Sequence, residues 1–264
     1  MPLWVYEISP LYLAVLMFMA IELISLAGLF LVRRFVLPRL RLHDGVNDAI
    51  SGTVQAIGVF YGITVGLIAI GVWTTHSNAA DSVSREAAAI GALYRDSSGY
   101  PSPQRERLQA GLRDYTHAVI EQAWPEQRKG RILDVGTQIL NQYQKDLFTF
   151  KPADISEAAL HAEALRAYNL LINERRLRID AVTGQLSTVM WCVIWVGAAL
   201  SIGVAYLYRL EDAKVHALLV ALMAGFLAMV IFMIVINDRP FMGRNGIAPD
   251  SYQLVLDKLI ELPN

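Results

Sequence analysis

Two polar side chains fall where water should not reach: Glu22 inside the apolar run Leu11–Val32, and Gln55 inside the uncharged run Ala49–Trp73. A carboxyl or an amide in hydrocarbon needs a partner on a neighbouring helix or a wet cavity. Each is therefore a candidate functional group, with protonation or an interhelical hydrogen bond as the plain alternative. The other reactive side chains do not gather into a set. The five histidines (His43, His76, His117, His161 and His216) lack metal-ligand spacing. His43-Asp44 reads as a solvated turn, and His161, four residues after Glu157, as one half of a helix-face pair. No phosphate loop, Gly-x-Ser-x-Gly, His-Glu-x-x-His or dinucleotide fingerprint occurs, so no enzyme activity, cofactor or bound metal is expected. The single cysteine, Cys192, excludes an intrachain disulfide and reads as a core thiol within an apolar run.

A different chemistry, the passage of ions, is suggested by spacing. Gly58, Gly62 and Gly66 recur every four residues and share one helix face with Gln55. Small residues at that spacing let membrane helices approach closely, which serves ordinary packing and oligomer contacts alike. Phe60, Ile63, Leu67 and Ile70 form a second face, about a third of a turn away. With the glycines against neighbouring helices, that apolar face would surround an axis as a constriction that gates by dewetting.

These residues need a helix that crosses a bilayer. Ala49–Trp73 is 25 residues without a charge, and about 20 suffice. No proline follows, and Val83, Ala87, Ile90 and Tyr94 keep helical spacing, so the span is expected to continue unbroken into water. Three further spans are expected: Leu11–Val32, Leu186–Tyr208 and Ala217–Ile236, the last almost wholly aliphatic and assigned to lipid. The first is too long for a signal-peptide core and no small-residue cleavage site follows it. Only 18 % of residues are charged, against about 25 % in soluble domains, and the four spans account for the deficit. A net charge of −1 argues against a nucleic-acid partner.

The fold class expected is all-α, in four parts: a first transmembrane hairpin (1–74), a helical soluble insertion (75–185), a second hairpin (186–237) and a tail with a short helix (238–264). In the insertion, Ser102 is expected to cap a helix that Trp124-Pro125 ends. A third helix stops near Lys151-Pro152. Asp154 and Glu157 cap a fourth, whose stripe is Leu160, Ala164, Tyr168 and Leu171, ahead of the basic run Arg175, Arg176, Arg178. Arg33, Arg34, Arg39 and Arg41 in the first connection, with Arg209 and Lys214 in the last, place those loops in the cytoplasm and the insertion outside.

The order of spans resembles the bacterial bestrophin-like domain family. So do the stretches Ser84-Arg85-Glu86-Ala87, Leu93-Tyr94-Arg95, Glu121 to Trp124-Pro125, and the terminal Asp238-Arg239-Pro240-Phe241-x-Gly243. Asp238, Pro240, Phe241 and Gly243 carry the most specific part. The family name marks a likeness to bestrophins, pentameric anion channels. The resemblance implies a homo-oligomer, pentameric by likeness, in the bacterial inner membrane, passing small anions or other inorganic ions through a pore lined by the second span. Lipid and ions are then the partners. Bestrophins follow this motif with an acidic run that binds calcium. Met242–Ala248 has no acid, so no calcium site is expected. Bestrophins also keep their insertion in the cytoplasm, against the arginine count here. The alternative from another class is a membrane-anchored sensor or scaffold whose insertion binds a ligand or protein.

Overall fold

The computed structural model describes residues 4–40 and 45–261, and every regular element among them is helical. His43, Asp44 and Arg41 lie outside the described residues. The chain forms two compact units: Met1–Thr74 with Gln185–Asp238, and Thr75–Gly184 with Arg239–Asn264.

The first unit holds α1 (Trp4–Glu7), α2 (Pro10–Leu31), the first half of α3 (Val46–Ser97), α8 (Thr188–Ala205) and α9 (Ala213–Asn237). Each of α2, α3, α8 and α9 is long and apolar enough to cross a membrane. α3 runs unbroken for 52 residues, as expected from an uncharged span followed by an amphipathic stretch without proline. Past Leu31, α2 loosens into a wider, π-type turn over Val32–Val36.

Two glycines let these helices close on one another. Gly197 of α8 lies under the ring of Tyr61, where a Cβ would be 2.3 Å from the ring carbons, and the Tyr61 hydroxyl donates to Ile194 O at 2.9 Å. Gly225 of α9 receives Glu22 and Phe18 of α2 in the same way, at 2.9 Å from each. The fourth span therefore does not simply face lipid, contrary to the sequence reading. Val220, Ala224, Leu227, Ala228 and Ile231 are buried, while Leu218, Leu222, Phe226 and Met229 point outward. Its uniform apolarity hid two different faces. Cys192 also departs from expectation and is exposed on α8. An apolar run in a span has an outer face as well as a packed one.

The second unit is built from the rest of α3, α4 (Gln104–His117), α5 (Trp124–Gln127), α6 (Val135–Thr149), α7 (Ile155–Thr183) and α10 (Asp250–Val255). Ile90, Leu108, Leu112, Tyr115, Leu147 and Leu171 are fully buried in one core, each such leucine being worth about 1.5–3 kcal/mol. The cap of α7 forms as the sequence suggests. Asp154 Oδ1 accepts from Glu157 N–H at 2.8 Å, and Glu157 Oε2 reaches back to Ala153 N–H at 2.7 Å. Two local expectations fail. α4 starts at Gln104 after Pro103 (φ −89°, ψ 7°) with no side-chain cap, so Ser102 lies one residue too early to be its N-cap. Nor does Trp124-Pro125 end the helix. The chain widens into a π-type segment at Ala118–Ala123, and Pro125 sits in the first turn of α5. Proline there removes an N–H that a first turn leaves unpaired anyway.

At the edge of this unit His117 is shared by two carboxylates, Glu121 and Glu261, each at 3.0 Å. Their hydrogen bonds, Glu121 first, raise its pKa above the ordinary histidine value despite some desolvation. A raised folded pKa gives stability that is fully present below the unfolded value, about 6.5. That stability is lost as pH rises through the folded value. The thermal midpoint should therefore exceed that of His117→Gln near pH 6 and match it near pH 9, by a small margin because the groups are half-exposed. A difference that ignores pH would show that the imidazolium plays no part.

Candidate functional site

Within the bilayer-length part of α3, the side chains sort into three faces. Tyr61, Val65, Ala69 and Val72 are buried against the chain's own helices, at 5–8 % exposure. By helical geometry Phe60, Ile63, Leu67 and Ile70 lie roughly opposite them, and they are 59–73 % exposed. Gly58, Gly62 and Gly66 lie between, flanking the buried face, and a Cβ on any of the three would meet nothing within 4 Å. The face that packs within one chain is thus the Tyr61 stripe. The glycine stripe is uncovered.

Polar groups along this helix are distributed accordingly. The hydroxyls of Thr53 and Thr64 donate to Ala49 O and Phe60 O, 2.9 and 2.8 Å away, so neither is left unsatisfied in an apolar setting. Gln55 is exposed on the glycine flank, and no hydrogen-bond partner for it occurs among the described residues. Glu22, on α2, is half-buried between Phe18 and Gly225, and its Oε2 has no partner among the described residues. The structure therefore does not join Glu22 to Gln55.

The terminal motif divides into two local devices. Asp238 closes the first unit: Oδ1 accepts from Leu186 N–H at 2.6 Å and Oδ2 from the Tyr6 hydroxyl at 3.4 Å. In the second unit Pro240 O accepts from Ile247 N–H at 2.8 Å. Phe241 is buried edge-on against Trp124, with centroids 5.6 Å apart. Gly243 adopts φ +71°, a conformation that disfavours a side chain, while its carbonyl accepts from Arg128 Nε and Nη2 at 3.3 and 3.2 Å.

Sequence reasoning missed the most polar buried constellation. Arg178 and Glu86, at 1 % and 0 % exposure, meet at 2.7 Å (Nε to Oε2) and 3.2 Å (Nη2 to Oε1). Arg178 Nη1 donates to Gln127 Oε1 at 2.8 Å, and the Tyr115 hydroxyl donates to Glu86 Oε1 at 2.5 Å. The guanidinium lies 5.7 Å from the Trp124 ring and 5.9 Å from that of Tyr252. Burial, then the Glu86 charge, hold the Tyr115 hydroxyl protonated well above the usual phenol range. A legible signal existed. Arg178 continues the spacing Tyr168, Leu171, Arg175, so a charge falls on an apolar stripe.

The profile of the Bestrophin-like domain family matches residues 19–252. The chain is similar to a solved structure of a mutant bacterial bestrophin homologue from Klebsiella pneumoniae, with 11 % identity, a TM-score of 0.69, and 95 % of this chain and 99 % of that one covered. A second mutant form from Klebsiella pneumoniae is 10 % identical, with a TM-score of 0.67 and 92 % and 98 % covered. A crystal structure described as a membrane protein is also 10 % identical, with a TM-score of 0.69 and 94 % and 99 % covered. At such identities the likeness is one of fold. None of the curated proteins matches the sequence.

Proposed function

This chain belongs to the bestrophin-like domain family, and on that premise we propose that it acts as a homo-oligomeric membrane channel in the bacterial inner membrane, with α3 of each copy facing a shared axis. The observation that carries the reading is the uncovered flank of α3. Gly58, Gly62 and Gly66 lack a neighbour, and Gln55 beside them lacks a hydrogen-bond partner among the described residues. Small residues and an amide make a poor lipid face but a good seat for another helix, and none of the described residues supplies one. A second copy does. Seating that copy on the glycine flank turns Phe60, Ile63, Leu67 and Ile70 toward the axis as an apolar constriction. Small anions or other inorganic ions are the cargo that the likeness to bestrophins favours.

Phe60→Ala and Leu67→Ala test the constriction. Both side chains are largely exposed within one chain, so folding and assembly should be unchanged while ion flux through reconstituted liposomes rises severalfold. Unchanged flux in both variants, with normal assembly, would remove the face from the conduit. A strictly monomeric particle in nanodiscs would remove the conduit itself and favour a membrane-anchored sensor or scaffold.

A further inference from the structure

The turn that leaves α2 places two cations at one end of an apolar groove. Leu26, Leu29 and Phe30 of α2, with Ala213 and Ala217 of α9, wall a space of about 500 Å³, and Arg33 and Arg34 line it with them. Arg33 is held in place: Nη1 donates to Leu210 O at 3.2 Å and to His216 Nδ1 at 3.1 Å. His216, 1 % exposed, in turn donates from Nε2 to Ala205 O at 3.0 Å. A guanidinium can only donate and a carbonyl can only accept, so Nδ1 serves as the acceptor and Nε2 as the donor. The imidazole positions the arginine without neutralising it.

Neither Arg33 nor Arg34 has an ion-pair partner among the described residues. The acids of the adjoining loop are Glu211 and Asp212, and Asp212 Oδ1 already accepts from the N–H groups of Lys214 and Val215 at the start of α9. Arg39, Arg209 and Lys214 add to the positive side. The arginines follow the last residue of α2, Leu31, and α9 starts at Ala213. They therefore lie at the end of two membrane-length helices, where headgroups sit. Phe30, 67 % exposed, continues the groove along the apolar part of α2.

A ligand complementary to this surface has an anionic head and a long apolar tail. We propose that the groove binds an anionic phospholipid. An acyl chain lies along Leu26, Leu29 and Phe30, and the phosphate is received by the prepositioned Arg33 and the free Arg34. Guanidinium groups suit this task because their paired N–H donors match phosphate oxygens. The site does not depend on whether the chain conducts ions.

Native mass spectrometry of the full-length, delipidated protein decides the matter, with phosphatidylglycerol and phosphatidylcholine of identical acyl chains as probes. Phosphatidylglycerol should bind about five- to thirtyfold more tightly, the effect expected of one or two interfacial arginines. Arg34→Gln should lower that preference about fivefold, with helix content and oligomer mass unchanged. Phe30→Ala should weaken both lipids alike. Millimolar inorganic phosphate should not displace the bound lipid. Equal binding of the two lipids, or a preference that survives both Arg34→Gln and Arg33→Gln, overturns the site. Displacement by phosphate would make it a bare anion site and overturn the lipid. A loss of oligomer mass in Arg34→Gln without a change in lipid preference would identify the occupant as a second copy of this chain.

Discussion

An Arg178→Met variant should lose about 3–5 kcal/mol of stability in the second unit, because it strands a buried carboxylate. Glu86 is fully buried and takes two hydrogen bonds from Arg178 and one from Tyr115. Without the guanidinium its negative charge has only the phenol for company, and Gln127 also loses a donor. The pair itself is worth far less than that loss. Desolvating both ions nearly cancels their attraction, so replacing the two together with apolar groups is often neutral. Glu86→Leu with Arg178→Met should thus recover much of the deficit, short by the roughly 1–3 kcal/mol that the unsatisfied Tyr115 and Gln127 groups cost. Hydrogen-exchange protection along α7 in the full-length protein measures this locally. The single variant should lower it by roughly two to three and a half orders of magnitude. A loss within one order, or a double variant no better than the single, would mean that the pair is not sealed from water.

How far these features were legible follows from what apolarity encodes. The length and continuity of α3 were plain, since an uncharged span and an unbroken apolar stripe each demand helix. The cap of α7 was plain for the same local reason. The packed faces of the spans were not, because burial in protein and exposure to lipid call for the same residues. On α9, Ala224, Gly225 and Ala228 mark the packed side and Leu222, Phe226 and Met229 the outer one. These small residues sit only on the packed side, but Leu227 and Ile231 there are as large as Leu222, so neither hydropathy nor size alone separates the faces. The Arg178–Glu86 pair was hidden by its 92-residue separation. Only Arg178's place on an apolar stripe hinted at it. For α3 the spacing revealed the glycine and phenylalanine faces, but the inward stripe headed by Tyr61 appeared only once Gly197 was seen to receive its ring.

That distinction between glycines yields the second large effect. Gly62→Leu should leave the fold of one chain intact and abolish its assembly. A Cβ at Gly62 meets nothing within 4 Å in the single chain, whereas one at Gly197 would stand 2.3 Å from the Tyr61 ring. If α3 of a neighbouring copy packs on the glycine flank, a leucine there forces two backbones apart. Overpacking of a close contact costs about 1–3 kcal/mol, and a closed ring repeats that cost at every interface. Leucine also favours helix over glycine by several tenths of a kcal/mol, so a loss of assembly could not be blamed on a weakened helix. Gly197→Leu is the contrasting case: it strikes the intrachain contact and should reduce helix content and thermal midpoint before assembly is even tested. Particle mass in nanodiscs and circular dichroism, measured on both variants, separate the two. Monomeric, fully helical Gly62→Leu beside a misfolded Gly197→Leu is the expected pair of results. A Gly62→Leu particle of wild-type mass would mean that no helix of another chain rests on that stripe, and α3 would be left facing lipid there.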